Sequence, residues 1–328
     1  MGIKGLGKFI RDNTTMGPAK DLKDYRGATF YIDTSLILYE FVLAMQLAGN
    51  PDPDQLLQQY GILQKTFQFL EAGIRPVYVF DGPASHMKAA VIATRKEAEE
   101  KRKAKGEAEH LFKPTHDLID RIKFVLTELG VDWIQAPDEA DITIAAATIR
   151  GGPSSYAYSR DLDMLTFGAP RVVVRDGKKY NTYTLNDSGG ISINKFEDGE
   201  IIEKIITRPE FITLCILFGC DYMSGIRGIG PKTAEKLILN APPGTSPAAI
   251  IAGQKNATHD VISLFTRVHE YFTTAAARVP PAVIHIKDDP AYHITHSLNE
   301  FLVSARVRAN TIAKWQKTVE SFHRVHKK

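Results

Sequence analysis

Four strand-like segments of this chain end on an aspartate, and that pattern limits the fold more than any other feature. "ATFYID" closes on Asp33, "RPVYVFD" on Asp81, "SSYAYSRD" on Asp161 and "RVVVRD" on Asp176. Helical patterns stand between them, over residues 35–49, 55–72, 115–130 and 139–149. Such alternation predicts an α/β fold with a mostly parallel central sheet flanked by helices. One aspartate after a strand is ordinary, because Asp suits turns and helix N-caps. Several together are not. Open parallel sheets place their ligand site at the carboxyl ends of the strands. Asp33, Asp81 and Asp161 are therefore expected to meet at one edge, with Asp163 two residues on. Crowded carboxylates repel one another unless protons or cations intervene. A set of donors made only of oxygen suits magnesium or manganese rather than zinc.

A second acidic pair lies in "APDEADITIAA". Glu139 and Asp141 stand two residues apart, which within a regular helix sets them about 200° from each other. At a loop–helix junction they can face one site. Pro137 and Asp138 mark such a junction, with Asp138 as the expected N-cap. The region over residues 175–201 is polar and Gly-rich and reads as a loop excursion or small hairpin.

The chain has 328 residues, of which 44% are hydrophobic, enough for a sizeable core. No apolar run reaches membrane length, and the longest, over residues 211–219, suits a buried helix. "MGIKGLGKFI" lacks the long apolar core of a signal peptide. Cys215 and Cys220 read as core residues of a reduced intracellular protein. The formal net charge is only +3. Residues 88–105 are locally basic, which is the usual sign of a solvated helix face.

"GCDYMSGIRGIGPKTAEKL" carries the densest run of turn signals. An apolar helix is expected to end near Phe218 and Gly219, and Pro231 to open the next one. Tight glycine turns between two helices point backbone N–H groups outward, an arrangement that binds phosphates. The same residues almost spell a nucleotide-binding P-loop. That motif needs Gly-Lys-Ser/Thr contiguous after a strand. Here Pro231 separates Gly230 from Lys232, and a helix precedes.

Six motifs now stand in order: "MGIKGL", "YIDTSLILYEF", "VYVFDGP", "APDEADITIAA", "RDLDMLTFG" and "CILFGCDYMSGIRGIGPKTAEKLI". From residue 1 to about residue 239 the chain resembles the flap endonucleases and their relatives among the structure-specific 5′ nucleases. The resemblance implies a PIN-like α/β nuclease fold with a helical arch and a helix–two-turn–helix element. It implies a nuclease region over residues 1–105 and 106–206, a DNA-binding region over 207–275 and a helical extension over 276–328. Matched motif by motif, the metal ligands would be Asp33, Asp81, Glu139, Asp141, Asp161, Asp163 and Asp221, holding two Mg²⁺, with Mn²⁺ as a substitute. Asp141 stands where the family usually has Glu. Lys88 and Arg95 match the catalytic basic pair that follows "FDG". Gly2, Tyr39, Arg227, Gly228, Gly230, Lys232 and Thr233 match positions that meet DNA.

The implied reaction is hydrolysis of DNA phosphodiesters at single-strand–duplex junctions in replication and repair. The partner is branched or nicked duplex with a 5′ flap. A 5′→3′ exonuclease, a junction-resolving relative and an inactive DNA-binding scaffold are the alternatives. A monovalent cation is implied at the helix–two-turn–helix turn, although Gly225 replaces the family's serine there. The segment between Asp81 and Glu139, which would form the arch, is shorter than in animal and yeast relatives. At the C-terminus only a degenerate sliding-clamp motif appears, over residues 316–323. Ile312, Trp315, Val319 and Phe322 there read instead as the stripe of a packed helix. The expected setting is a monomer inside the cell, nuclear if eukaryotic and otherwise cytoplasmic, with no membrane partner.

Overall fold

The computed structural model describes residues 2–47, 49, 56–83, 85–88, 114–197, 200–284, 286, 291–304 and 307–326. Six strands make the central sheet: β1 (Thr29–Asp33), β2 (Arg75–Phe80), β3 (Asp132–Gln135), β4 (Ser155–Tyr158), β5 (Arg171–Asp176) and β6 (Lys179–Thr184). Their order is β3-β2-β1-β4-β5-β6. The first five strands run parallel, and β6 returns antiparallel beside β5. A separate hairpin pairs β7 (Ile191–Glu197) with β8 (Glu200–Ile206).

The helices are α1 (Leu6–Asn13), α2 (Thr34–Leu47), α3 (Leu56–Glu71), α4 (His116–Leu129), α5 (Ala140–Arg150) and a single turn, α6 (Asp163–Thr166). After the hairpin come α7 (Arg208–Phe218), α8 (Pro231–Asn240), α9 (Pro247–Ala252), α10 (His259–Arg278), α11 (His296–Ser304) and α12 (Ala309–His326).

The pleat of the strands sends alternate side chains to opposite faces. Phe30, Ile32, Tyr78 and Phe80 join the core under α3, α4 and α12. Tyr31, Val77, Val79 and Ala157 join the core under α5, α7 and α10. Helices therefore cover both faces, as a parallel sheet requires. Local signals set the ends. Thr115 caps α4 by accepting a hydrogen bond from the Leu118 amide, and Gly130 closes it in the left-handed region. Thr207 and Glu210 form a capping box on α7, whose residues from Phe211 to Phe218 are all buried.

Three expectations need correction. β4 stops at Tyr158, so Asp161 sits on a loop three residues beyond the strand. The Ser159 hydroxyl accepts the Asp161 amide there, which turns the chain out of the sheet. Glu139, not Asp138, occupies the N-cap of α5. The polar region over 175–201, expected as a loop excursion or small hairpin, is hairpin rather than loop: β6 returns beside β5, and β7 opens a second hairpin with β8. The C-terminal stripe packs as expected. Ile312, Trp315, Val319 and Phe322 are buried, and Trp315 stacks on Phe67 at 4.4 Å. Arg95 and most of the segment expected to form the arch lie outside the described residues. Among the described residues no helix is long and apolar enough to cross a membrane.

Candidate active site

The sheet order reverses at β1, which lies between β2 and β4. That is where an open parallel sheet splits to leave a crevice. Asp33 ends β1, Asp81 directly follows β2, and Asp161 lies just past β4. Glu139 and Asp141 come from the start of α5, and Asp221 from the turn after α7. These six acids line one cavity of about 540 Å³, together with Tyr39, Lys88 and Arg160. Asp163 stands just behind it. Its amide donates to the Asp161 carboxylate (3.1 Å), and its own carboxylate accepts the Ile3 amide (2.7 Å).

Backbone and hydroxyl donors hold the acids in place. Asp81 accepts from the Ser35 hydroxyl (2.7 Å) and from the Ala140 amide at the first turn of α5 (2.9 Å). Gly82 lies against the Ala136 and Asp138 carbonyls, at 2.5 and 2.6 Å from where a Cβ would stand, so only glycine fits. Gly2 adopts φ +96°, and a Cβ on it would overlap the Asp161 carboxylate. The N-terminal segment thus acts as the floor beneath Asp161 and Asp163.

Charge crowding shows in the acidities. Burial, then the charges of Asp81 and Asp161, push Asp33 up to about 7. Burial, then Asp33, Asp161 and Asp163, raise Asp141 well above the carboxylate range. Burial and Asp161 do the same to Asp163. Such a set cannot stay ionised near neutral pH without cations close by. One cation is internal. Lys88 pairs with Glu139 and lies 3.4 Å from Asp221. Burial pulls its ammonium down, but the Glu139 charge and hydrogen bond and the Asp221 charge outweigh that and raise it above its ordinary value.

Tyr222, which no sequence motif singles out, is buried behind the cavity against Glu139 and Lys88. Its hydroxyl donates to Glu139 Oε2 (2.9 Å), and its ring lies 5.2 Å beneath the Lys88 ammonium. Tyr271 on α10 packs on the same ring at 5.1 Å. The one available signal was an aromatic directly after Asp221 in an otherwise apolar stretch. Glu139 Oε1 is buried with no hydrogen-bond partner. An orphaned carboxylate oxygen within an all-oxygen donor set fits a hard divalent cation. Among the described residues no three side chains form a ready-made ion cage, and the Lys88 ammonium takes up part of the acidic charge.

The glycine turn follows four residues after Asp221. Gly225 and Gly228 both hold positive φ, and a Cβ on Gly225 would come 2.7 Å from the Leu217 carbonyl. Ile226 and Ile229 anchor the turn in the core. Arg227, Gly228, Gly230, Lys232 and Thr233 are exposed beside the start of α8. The Asn256 side chain, also absent from the sequence reading, donates to the Arg227 carbonyl (2.6 Å) and braces the turn from outside.

Comparison with known proteins places this architecture. The XPG N-terminal domain model matches residues 1–103, and the XPG I-region model matches residues 130–221. Flap endonuclease 1-A of Xenopus laevis is 35% identical over 261 residues, covering 73% of this chain and 65% of its own length. This chain belongs to the flap endonuclease/XPG family. Its match spans just under two thirds of the length of that relative. Solved structures carry the same 5′ nuclease fold. The catalytic core of Rad2 in complex with DNA substrate superposes with a TM-score of 0.68 at 18% identity, covering 98% of this chain and 100% of that one. Flap endonuclease-1 from Methanococcus jannaschii gives 0.64 at 19% identity, covering 98% of each.

Proposed function

We propose that this chain is a divalent-metal-dependent, structure-specific 5′ nuclease acting at single-strand–duplex junctions of DNA, with 5′→3′ exonuclease activity, in replication and repair. The observation that carries the reading is the cavity at the switch point, where five separate segments deliver six carboxylates and one half-buried ammonium. Asp33, Asp81, Glu139, Asp141, Asp161, Asp163 and Asp221 would hold two Mg²⁺, with Mn²⁺ as a substitute. When bound, such ions activate water and stabilise the leaving oxygen of a phosphodiester.

The chain's own residues do the rest. Lys88 supplies a cation beside the attacked phosphate, held there by the ring of Tyr222 and the charge of Glu139. Arg95 would add a second, and its guanidinium can grip a phosphate with two hydrogen bonds. Exposed Tyr39 at the cavity wall offers a ring to an unpaired base. Backbone N–H groups of the exposed glycine turn, with Arg227 and Lys232, would hold duplex phosphates. Water opens the P–O bond to leave a 5′-phosphate and a 3′-hydroxyl. In this reading residues 1–105 and 106–206, with Asp221, carry the chemistry, the rest of 207–275 holds the duplex and 276–328 is a brace. Gly225 itself offers a monovalent cation at this turn no more than its backbone carbonyl. Within the degenerate clamp motif over residues 316–323, Val319 and Phe322 are used in the core. A monomer in the nucleus, if the source is eukaryotic, fits the proposal.

The test is cleavage of a 5′ flap, a nicked duplex, a blunt duplex and a four-way junction under one set of conditions. The flap is expected to be cut fastest, at the junction. Fastest cutting of the four-way junction would replace the reading by a resolvase, and binding without any cutting would replace it by a scaffold.

A further inference from the structure

A second cavity, of about 440 Å³, opens between the end of α5, the β6–β7 turn, the start of α7 and α10. It shares no lining residue with the acidic cavity. Its size falls within the range of roughly 300–1,000 Å³ common for small-molecule sites. Two polar side chains in its wall have unspent donors. The Nη1 group of Arg208 and the Nδ2 group of Asn186 are both buried and lack a hydrogen-bond partner.

Each donor is fixed in place. Asn186 Oδ1 accepts from the Ser188 amide (3.1 Å), the Ser188 hydroxyl (2.7 Å) and the Gly190 amide (3.0 Å). These three bonds settle which end of the amide is oxygen, so Nδ2 must be the end left over. Arg208 donates through Nη2 to the Thr166 carbonyl (3.1 Å) and the Phe272 carbonyl (3.4 Å). Two glycines make room for it. A Cβ on Gly168 would stand 3.0 Å from Nη2, and one on Gly189 would stand 3.1 Å from Cδ. Among the described residues no carboxylate pairs with this guanidinium. Arg150, also in the wall, spends its Nη2 on the Val279 carbonyl (2.6 Å), and the exposed Asp187 is the one acid of the lining.

A half-buried cation without a counter-charge costs free energy, and so does an orphaned amide donor. Ordered water could answer both donors but would leave the charge unbalanced. We propose that this cavity is a binding site for a small oxyanion, a phosphate or a carboxylate, received by Arg208 Nη1 and Asn186 Nδ2. An oxyanion supplies what both groups lack, acceptor oxygens and a negative charge, and the planar guanidinium suits it geometrically.

The probes are sodium phosphate and sodium acetate, titrated separately at fixed pH and ionic strength into the full chain. The readout is the amide resonances of Gly168 and Gly189 and the side-chain amide of Asn186. A saturable shift with either anion is expected, and the one that saturates first identifies phosphoryl or carboxylate ligands. Asn186→Asp keeps the oxygen that organises the turn and turns the free donor into an acceptor. It is expected to weaken the binding by about tenfold or more. Arg208→Gln should abolish it. Phosphate held at the glycine turn is told apart by Lys232→Ala, which should not move the Gly189 response. Shifts that stay linear with both anions, or that Asn186→Asp leaves unchanged, would overturn the proposal even if Arg208→Gln failed to fold.

Discussion

The acidic cavity and the glycine turn lie four residues apart in sequence and are built in opposite ways. The cavity collects side chains from five segments that span residues 33 to 221, and sets like charges against one another. The turn uses the backbone of about ten consecutive residues, is exposed, and depends on few outside contacts, Asn256 among them. One region gives up stability to concentrate charge. The other presents ordinary peptide groups that were available anyway. The difference teaches where each kind of damage should appear: in the rate of bound substrate for the cavity, in affinity for the turn.

The largest effect should follow from Asp141→Asn, which keeps the shape and removes one of the crowded charges. Cleavage is expected to fall by at least the order of 10³-fold. The metal-free protein should melt a few degrees higher near neutral pH, because burial among other carboxylates forces Asp141 to take up a proton on folding and that cost disappears with the amide. A variant that still cuts in magnesium would separate the acids from the chemistry. Next in size is Lys88→Ala, expected to slow single-turnover cleavage by about 10²- to 10³-fold with little change in binding. A loss of affinity rescued at low salt would mark Lys88 as part of a solvated basic face instead.

Tyr222 sharpens the comparison, because it touches both charges of the inner wall. Tyr222→Phe keeps the ring under Lys88 and removes the bond to Glu139, so about a tenfold loss of rate is expected. Tyr222→Leu also removes the ring and should cost more. Equal losses in the two variants would show that only the hydroxyl matters. The smallest effect belongs to the turn. Lys232→Ala should weaken every duplex-containing substrate similarly and reduce the salt slope by about one phosphate contact. A loss confined to one substrate shape would mean that the turn reads geometry.

The sheet was legible because alternating strands and helices leave strong periodic signals, and because "ATFYID", "RPVYVFD" and "RVVVRD" end within one residue of their strands. Asp161 was misplaced by a few residues since "YAYSRD" stays apolar enough to look like strand, while Ser159 captures the backbone and ends it. The acids were legible as a set, through spacing and resemblance. Tyr222 and Asn256 were not, because each works through a contact across the fold, one over 83 residues and the other over 29. Arg208 and Asn186 were invisible for a related reason. Their interest lies in the partners they lack, and a sequence does not record missing partners.

The most direct measurement follows binding and cleavage together on one labelled 5′-flap substrate at saturating enzyme. It is made first in chelator and then after magnesium is added. In chelator the substrate should remain bound through the glycine turn and stay intact. Cleavage should begin at the junction once magnesium fills the acidic cavity, and Asp141→Asn should stay bound and silent in both conditions. Cleavage in the presence of chelator, or cleavage by Asp141→Asn after magnesium is added, would contradict the assignment of the acids to a divalent-cation site.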